Sequence, residues 1–234
     1  METIVTTLQG IGIFVVGLFA RVGLVVAVMA VLLVPVALVI AGARGWEALK
    51  MRLMGFRSAG GLRWRKGIHY APGHTWLATE NGRLKVGLDD LAQRILPWAV
   101  SVELPRPGTR VKEGDTVATI SCGNQEAPVA SPVDGLVVSV NPLVARDPSL
   151  VKRESYGRGW LFALEPIDGK RYLALPSGEA ARSWLAAEGR RLTDFFEHQL
   201  GIAAADGGEL VAPPPSLLGE AQWEALVRAF LKAR

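Results

Sequence analysis

Cysteine and histidine are scarce in this chain: its 234 residues include one cysteine, Cys122, and three histidines, His69, His74 and His198. A single cysteine excludes an intramolecular disulfide and fits a reducing compartment. Zinc sites need three or four Cys, His or carboxylate ligands at short, characteristic spacings, and these scattered residues have no such spacing. The sequence also shows no nucleophile accompanied by a base and an orienting group. It therefore predicts neither a metal site nor an enzyme.

Lysine is absent from residue 113 to residue 151, although basic residues are common elsewhere. Within this stretch the motifs Gly-Asp and Pro-Val-Asp-Gly, both turn signals, precede alternating runs at residues 116–120 and 136–140. The pattern predicts strands joined by a hairpin region. Cys122 is the reactive side chain of that region, a weak candidate for persulfide, thioester or redox chemistry. Its neighbours supply no cation or base to activate a thiol, which favours the alternative of a chemically idle loop residue.

The N-terminus is the most hydrophobic part of the chain. Residues 22–43 form a run of 22 residues without a charge. As a helix this run is about 33 Å long, enough to cross a bilayer. A cleaved signal peptide is the alternative, but the run is longer than a usual signal core and the first twenty residues contain no Lys or Arg. The sequence predicts a transmembrane anchor over residues 1–43.

Basic residues are concentrated just after this run. Against one acid, Glu47, the segment 44–66 contains seven bases: Arg44, Lys50, Arg52, Arg57, Arg63, Arg65 and Lys66. This bias predicts a single-pass membrane protein whose globular domain lies in the cytoplasm, with residues 44–68 as a basic linker or helix at the membrane surface. The net charge of the whole chain is only +4, so the remainder is slightly acidic. Nucleic acid is therefore not a predicted partner.

Short strands and turns are predicted from residue 69 onward. The pattern indicates a hairpin with an Asn81-Gly82 turn, a short helix capped by Asp89 or Asp90, and further strands up to residue 164. Two amphipathic helices are predicted at residues 179–199 and 217–232. These helices either pack on the strands or offer an apolar face to a partner.

Five motifs in this order resemble one known family. They are His74-x-Trp76, VGLDDLAQRILPWAVSVELP (86–105), PGTRVKEGD (107–115), SPVDG (131–135) and YGRGWLF (156–162). Together they resemble the H protein of the glycine cleavage system over about residues 69–166. The resemblance implies a mainly β, barrel-sandwich hybrid (lipoyl-domain-like) fold, in which two small antiparallel sheets carry a lipoyl-bearing hairpin. The predicted domains are an anchor (1–43), a linker (44–68), the sandwich (69–175) and a C-terminal helical extension (176–234).

The attachment residue of that family is missing here. Lipoate is joined by an amide to a lysine ε-amine, and counting back from the SPVDG motif places Asn124 where the lysine is expected. An asparagine amide is not a usable nucleophile, and a shift of register does not help because the hairpin has no lysine. Biotin attachment fails for the same reason. The resemblance therefore implies a degenerate lipoyl site at Asn124 and no bound cofactor.

Three functions remain open from the sequence. The favoured one is a membrane-tethered H-protein-like module without lipoate, acting as a non-catalytic docking or assembly subunit for a cytoplasmic or membrane protein. The second is a group carrier related to glycine cleavage, using Cys122 or a noncovalently held cofactor. The third is a membrane-fusion or export adaptor, since such proteins also join one helix to a barrel-sandwich domain. The inferred cytoplasmic side and the absence of a long coiled coil argue against the third.

Overall fold

The computed structural model describes residues 55–97, 99, 101–200, 205–206, 209–210 and 218–232, with scattered positions before residue 47. The chain divides into two compact units, Met1–Leu53 and Met54–Arg234. The described positions of the first unit, residues 21, 24, 29, 32–40, 42 and 46, are helical. All of the strands described below belong to the second unit.

The predicted membrane localisation is wrong for the part of the chain that the structure describes. Among those residues no helix is long and apolar enough to cross a bilayer. Ten of the 22 residues of the predicted span 22–43 lie outside the described residues, as do Arg44, Lys50 and Arg52 of the basic flank.

The second unit is built mainly from short antiparallel strands. In chain order they are β1 (Phe56–Ala59), β2 (Leu62–Arg65), β3 (His69–Ala71), β4 (Thr75–Glu80), β5 (Arg83–Leu88), β6 (Ser101–Glu103), β7 (Arg110–Val111), β8 (Thr116–Cys122), β9 (Gln125–Ala130), β10 (Gly135–Val140), β11 (Phe162–Pro166), β12 (Ala205–Asp206) and β13 (Glu209–Leu210). The helices are α1 (Asp90–Ile95), α2 (Pro142–Arg146), α3 (Leu150–Arg153), α4 (Gly178–Leu200) and α5 (Glu220–Phe230), and a 3₁₀ turn spans Arg171–Ala174.

Two sheets form the sandwich. The larger has six strands in the order β3-β4-β5-β11-β10-β7, and the smaller has three in the order β6-β8-β9. Leu77, Val86 and Phe162 of the larger sheet and Ile120 of the smaller are fully buried members of one core. The mainly β sandwich with C-terminal helices is therefore confirmed. Burial of these apolar side chains, worth roughly 1.5–3 kcal/mol each, holds the two sheets together.

The predicted β4–β5 hairpin and the helix after it are also confirmed. Asn81 and Gly82 both have positive φ, 51° and 76°, as a two-residue hairpin turn requires. Asp89 is the N-cap of α1, and its side chain accepts a hydrogen bond from the backbone N–H of Ala92. The cap satisfies a backbone donor that a short helix leaves without a partner at its N-terminus. This turn and this cap fix the position of α1 beside the sheet.

The segment predicted as a surface linker or helix, 44–68, contains a β-hairpin. Strands β1 and β2 pair through a Gly60-Gly61 turn, and Leu62 and Trp64 of β2 are buried. The alternation Leu-Arg-Trp-Arg forms a strand with one apolar face. Three of the bases that predict a membrane surface are part of this hairpin. The compact unit that contains the sandwich therefore includes residues before the predicted start at residue 69.

Both C-terminal helices pack on the sandwich. Helix α4 contacts β1, β2 and β3, and α5 contacts β9. A Cβ on Gly189 would lie 2.8 Å from the Gly60 carbonyl oxygen, and one on Gly60 would lie 2.9 Å from Ala186 Cα. Glycine at both positions thus allows the α4 backbone to approach the β1–β2 turn closely.

Candidate functional site

The tip of the β8–β9 hairpin is the position predicted for cofactor attachment. The last pair of this ladder is Cys122 with Gln125, so Gly123 and Asn124 form the turn between the strands. Gly123 has φ +68°, a conformation that glycine adopts without strain. Asn124 is exposed at the tip. The structure therefore presents Asn124 to solvent, at the end of a two-stranded projection.

The side chains at this tip do not fit a covalent lipoyl group. Attachment needs a primary amine, and the turn offers an amide at Asn124 and a hydrogen atom at Gly123. The nearest lysines in sequence are Lys112 and Lys152, which lie outside both strands of the hairpin. Nothing at the tip can form the amide bond that the resemblance implies.

Cys122 lies below the tip and is buried, with 7% of its surface exposed. Its Sγ is 3.8 Å from the Pro97 carbonyl oxygen, within range of a weak S–H hydrogen bond. Burial raises the pKa of the Cys122 thiol to about 11, while the charge of Lys152 acts in the opposite direction. The thiol is therefore protonated at neutral pH, which is unfavourable for nucleophilic chemistry.

A groove of about 800 Å³ runs between the hairpin tip and α5. The indole N–H of Trp223 donates to the Glu126 carbonyl oxygen at 3.1 Å, which ties α5 to β9. Glu126, Glu220 and Glu224 are among the lining residues. A groove with three carboxylates repels an anionic ligand, so its lining disfavours noncovalent binding of a carboxylate such as lipoate. In the sequence, the one signal for the contact between α5 and β9 is Trp223, the single tryptophan of the last predicted helix.

His74 is the buried centre of a second cluster. Its Nδ1 lies 2.8 Å from Asp89 Oδ2, its Nε2 lies 3.3 Å from Glu188 Oε2, and its ring stacks on Trp184 with centroids 5.2 Å apart. The φ of His74 is 58°, a left-handed conformation that the turn between β3 and β4 imposes. Arg191 completes the cluster, with a guanidinium nitrogen 2.7 Å from Glu188 Oε2. The cluster joins the sandwich to α4.

The two carboxylates control the protonation of His74. Burial by itself lowers the pKa of His74, but Asp89 and Glu188 outweigh it and raise that pKa to about 9. Burial would raise the pKa of Glu188, yet His74 and Arg191 together lower it. His74 is therefore protonated at neutral pH, and its imidazolium forms an ionic link between the larger sheet and α4. The sequence identified His74 as part of a motif of the family but gave no sign of its partner on α4.

The three histidines are not brought together. His69 Nδ1 lies 3.2 Å from the Leu175 carbonyl oxygen, and His198 is exposed on α4. Among the residues that the structure describes, no group of three or more His, Cys, Asp or Glu side chains has the arrangement of a metal site.

The sequence profile described as Glycine cleavage H-protein matches residues 68–188. A probable glycine cleavage system H protein of Aeropyrum pernix is 35% identical over 115 residues, which is 49% of this chain and 80% of that protein. Glycine cleavage system H protein 1 of Caldanaerobacter subterraneus is 36% identical over 118 residues, 50% of this chain and 94% of that protein. A crystal structure of a glycine cleavage system H protein from Mycobacterium marinum has a TM-score of 0.42 and 27% identity, covering 44% of this chain and 87% of that one.

Proposed function

Because this chain belongs to the glycine cleavage H-protein family, we propose that it is a member without lipoate that acts as a docking or assembly subunit. It would bind a protein partner through the surface that surrounds the hairpin tip. It would not carry a reaction intermediate. In this proposal the sandwich of the family is kept and its carrier chemistry is lost.

One observation carries the proposal: the tip of the β8–β9 hairpin presents Asn124. Carrier function requires a covalent arm at this tip, and an asparagine amide cannot form one. The hairpin itself is intact, with β8 paired to β9 on one side and to β6 on the other. A well-formed projection without a reactive group can still present a surface to a protein partner.

The two other functions considered from the sequence have less support. A carrier that uses Cys122 would need an accessible thiolate, whereas this thiol is buried and its pKa is raised. A noncovalently held lipoate would place its carboxylate beside the three glutamates of the tip groove. An export adaptor belongs to a different class of protein from the family that this chain matches.

The loss of carrier chemistry can be tested by restoring the lysine. Wild type, Asn124→Lys and Gln125→Lys would each be incubated with lipoic acid, ATP and a lipoate–protein ligase, and the intact mass measured. We expect no adduct on wild type and one adduct on Asn124→Lys. Gln125→Lys is the matched control, since residue 125 lies within β9 and not in the turn. Adduct formation on wild type would contradict the proposal.

The docking role needs a separate test in cells. A photoreactive amino acid at position 124 would be irradiated, and crosslinked products analysed by mass spectrometry. We expect one discrete protein adduct that is absent when the same group is placed at the exposed Lys170, after β11. Equal products from both positions, or none from position 124, would refute docking through the tip.

A further inference from the structure

The turn between β4 and β5 projects into solvent. Its two residues are Asn81 and Gly82, flanked by the paired residues Glu80 and Arg83. All four are exposed, whereas Leu84, the next residue along β5, is buried. A Cβ built on Gly82 would have no heavy atom within 4 Å. The space beside the Gly82 Cα is therefore open to solvent.

Two groups of this turn are adjacent in the chain and free to react with each other. Among the described residues, neither the side-chain amide of Asn81 nor the backbone N–H of Gly82 has a hydrogen-bond partner. A hydrogen bond to either group would hold the amide carbonyl away from the backbone nitrogen. The carbonyl carbon of a side-chain amide is an electrophile, and a deprotonated backbone nitrogen is a nucleophile. The turn therefore holds an electrophile and a nucleophile on neighbouring residues.

We propose that Asn81 is a site of spontaneous deamidation. The Gly82 backbone nitrogen loses its proton to a solvent base and attacks the side-chain carbonyl carbon of Asn81, which forms a C–N bond and closes a succinimide ring. The bond from that carbon to the side-chain nitrogen breaks, and the nitrogen leaves as ammonia. Water then opens the ring at either carbonyl, which gives aspartate or isoaspartate at position 81. Water is the co-reactant, and nothing is oxidised or reduced.

The residue after each asparagine distinguishes Asn81 from the two others in the chain. Glycine follows Asn81, glutamine follows Asn124 and proline follows Asn141. Asn124 is also exposed in a two-residue hairpin turn, but Gln125 has a Cβ that crowds the attacking nitrogen. Asn141 cannot form the ring, because Pro142 has no N–H. Glycine has no Cβ and the widest choice of backbone conformations, so Asn81 is the asparagine with the least hindered reaction.

Protection by the fold is the alternative interpretation of this turn. Ring closure requires rotation about the bond between Cα and the carbonyl carbon of Asn81, and the turn holds this residue at φ 51° between paired strands. However, the turn lies at the end of the β4–β5 ladder, where opening breaks only the last pair, Glu80 with Arg83. Both residues of that pair are exposed, so opening exposes little additional apolar surface. Local fraying of this kind needs far less free energy than global unfolding.

Isoaspartate at position 81 would alter the hairpin. In isoaspartate the main chain runs through the side-chain methylene, which adds one atom to a turn whose length sets the register of its strands. Either product also adds a negative charge next to Glu80, which forms an ion pair with Lys85. Strand β5 leads directly to the Asp89 cap of α1. We therefore expect the deamidated protein to be less stable than the freshly purified protein.

The test is incubation of the intact protein at pH 8, in the native state and in urea, followed by peptide mass spectrometry that separates aspartate from isoaspartate. Trypsin releases Asn81 in the peptide Gly67–Arg83, and both other asparagines in the peptide Glu113–Arg146. In the native protein we expect Asn81 to deamidate roughly tenfold faster than Asn124, because glycine leaves the attacking nitrogen unshielded. We also expect isoaspartate among the products.

Two variants serve as matched controls. Gly82→Ala adds a methyl group beside the attacking nitrogen and should slow the reaction of Asn81. Gln125→Gly creates a second Asn-Gly pair in an exposed turn and should accelerate the reaction of Asn124, which remains informative if Gly82→Ala does not fold. The proposal is overturned if Asn81 reacts in urea but not in the native state, since the native turn then protects it. Equal native rates at Asn81 and Asn124, or rates that neither variant changes, would also overturn it.

Discussion

Replacing His74 with asparagine should abolish a specific pH dependence of stability. Asparagine tolerates the left-handed φ of 58° at this position. Its side-chain amide can still donate to Asp89 near the place of His74 Nδ1, but it is too short to reach Glu188 and carries no charge. The substitution therefore removes the ionic link between the sheet and α4 with little backbone strain.

The magnitude follows from the pKa of His74, which is raised from 6.5 to about 9. A folded-state pKa above the unfolded value means that protonation stabilises the fold. The stabilisation is fully present below about pH 6.5 and is lost as the pH rises through about 9. A difference of about 2.5 pKa units corresponds to roughly 3 kcal/mol in the free energy of unfolding.

Urea unfolding, followed by tryptophan fluorescence between pH 6 and pH 10, measures this contribution. The free energy of wild type minus that of His74→Asn should fall by roughly 3 kcal/mol across the range. Subtracting the variant removes the titration of groups that the two proteins share. His198→Asn, at an exposed position, should run parallel to wild type. If the difference in the free energy of unfolding between wild type and His74→Asn stays constant from pH 6 to pH 10, the pKa of His74 is not raised by folding.

Three further outcomes are expected. Gly87→Ala should destabilise the protein by roughly 1–3 kcal/mol in urea unfolding, because a Cβ there would lie 2.6 Å from the Trp76 ring; an unchanged midpoint would contradict this contact. Trp223→Phe should cost about 1 kcal/mol in the same assay, through loss of the hydrogen bond to the Glu126 carbonyl. Cys122 should react with a thiol reagent such as dithiobis(nitrobenzoate) far more slowly in the native protein than in urea, since it is buried and its pKa is raised; equal rates would place the thiol at the surface.

The sequence predicted those parts of the fold whose signals are local. The Asn81-Gly82 turn and the Asp89 cap depend on residues close together in the chain, and both were found where expected. Strand β9 was not predicted because it contains Pro128 and alternates weakly. Proline is tolerated there because β9 lies at the edge of its sheet, a position that only the tertiary structure reveals.

The parts of the fold that depend on contacts between residues far apart in the chain could not be predicted from the sequence. The segment of the β1–β2 hairpin has the composition of a membrane-surface segment, because Leu62 and Trp64 on one face of the strand alternate with Arg63 and Arg65. The His74 cluster needs Glu188 and Arg191, which lie more than a hundred residues later in the chain. No pattern within one stretch of chain encodes these pairings.

From the sequence, the resemblance to the family implies that Asn124 stands at the position of the attachment lysine. The structure adds that this residue lies in the turn of the β8–β9 hairpin. Counting from the SPVDG motif assigned the residue to the position of the family lysine. The β8–β9 register then placed it in the exposed turn. The nature of the docking partner was beyond the sequence, because a binding surface is assembled from several elements.

Mass spectrometry of the natively purified protein shows directly whether the β8–β9 hairpin carries a covalent group. Trypsin releases the peptide Glu113–Arg146, which spans the whole hairpin and contains no internal lysine or arginine. We expect the unmodified mass for this peptide. A stoichiometric lipoyl adduct, or any stable acyl or sulfur adduct localised to Cys122, would contradict it and identify the protein as a working carrier.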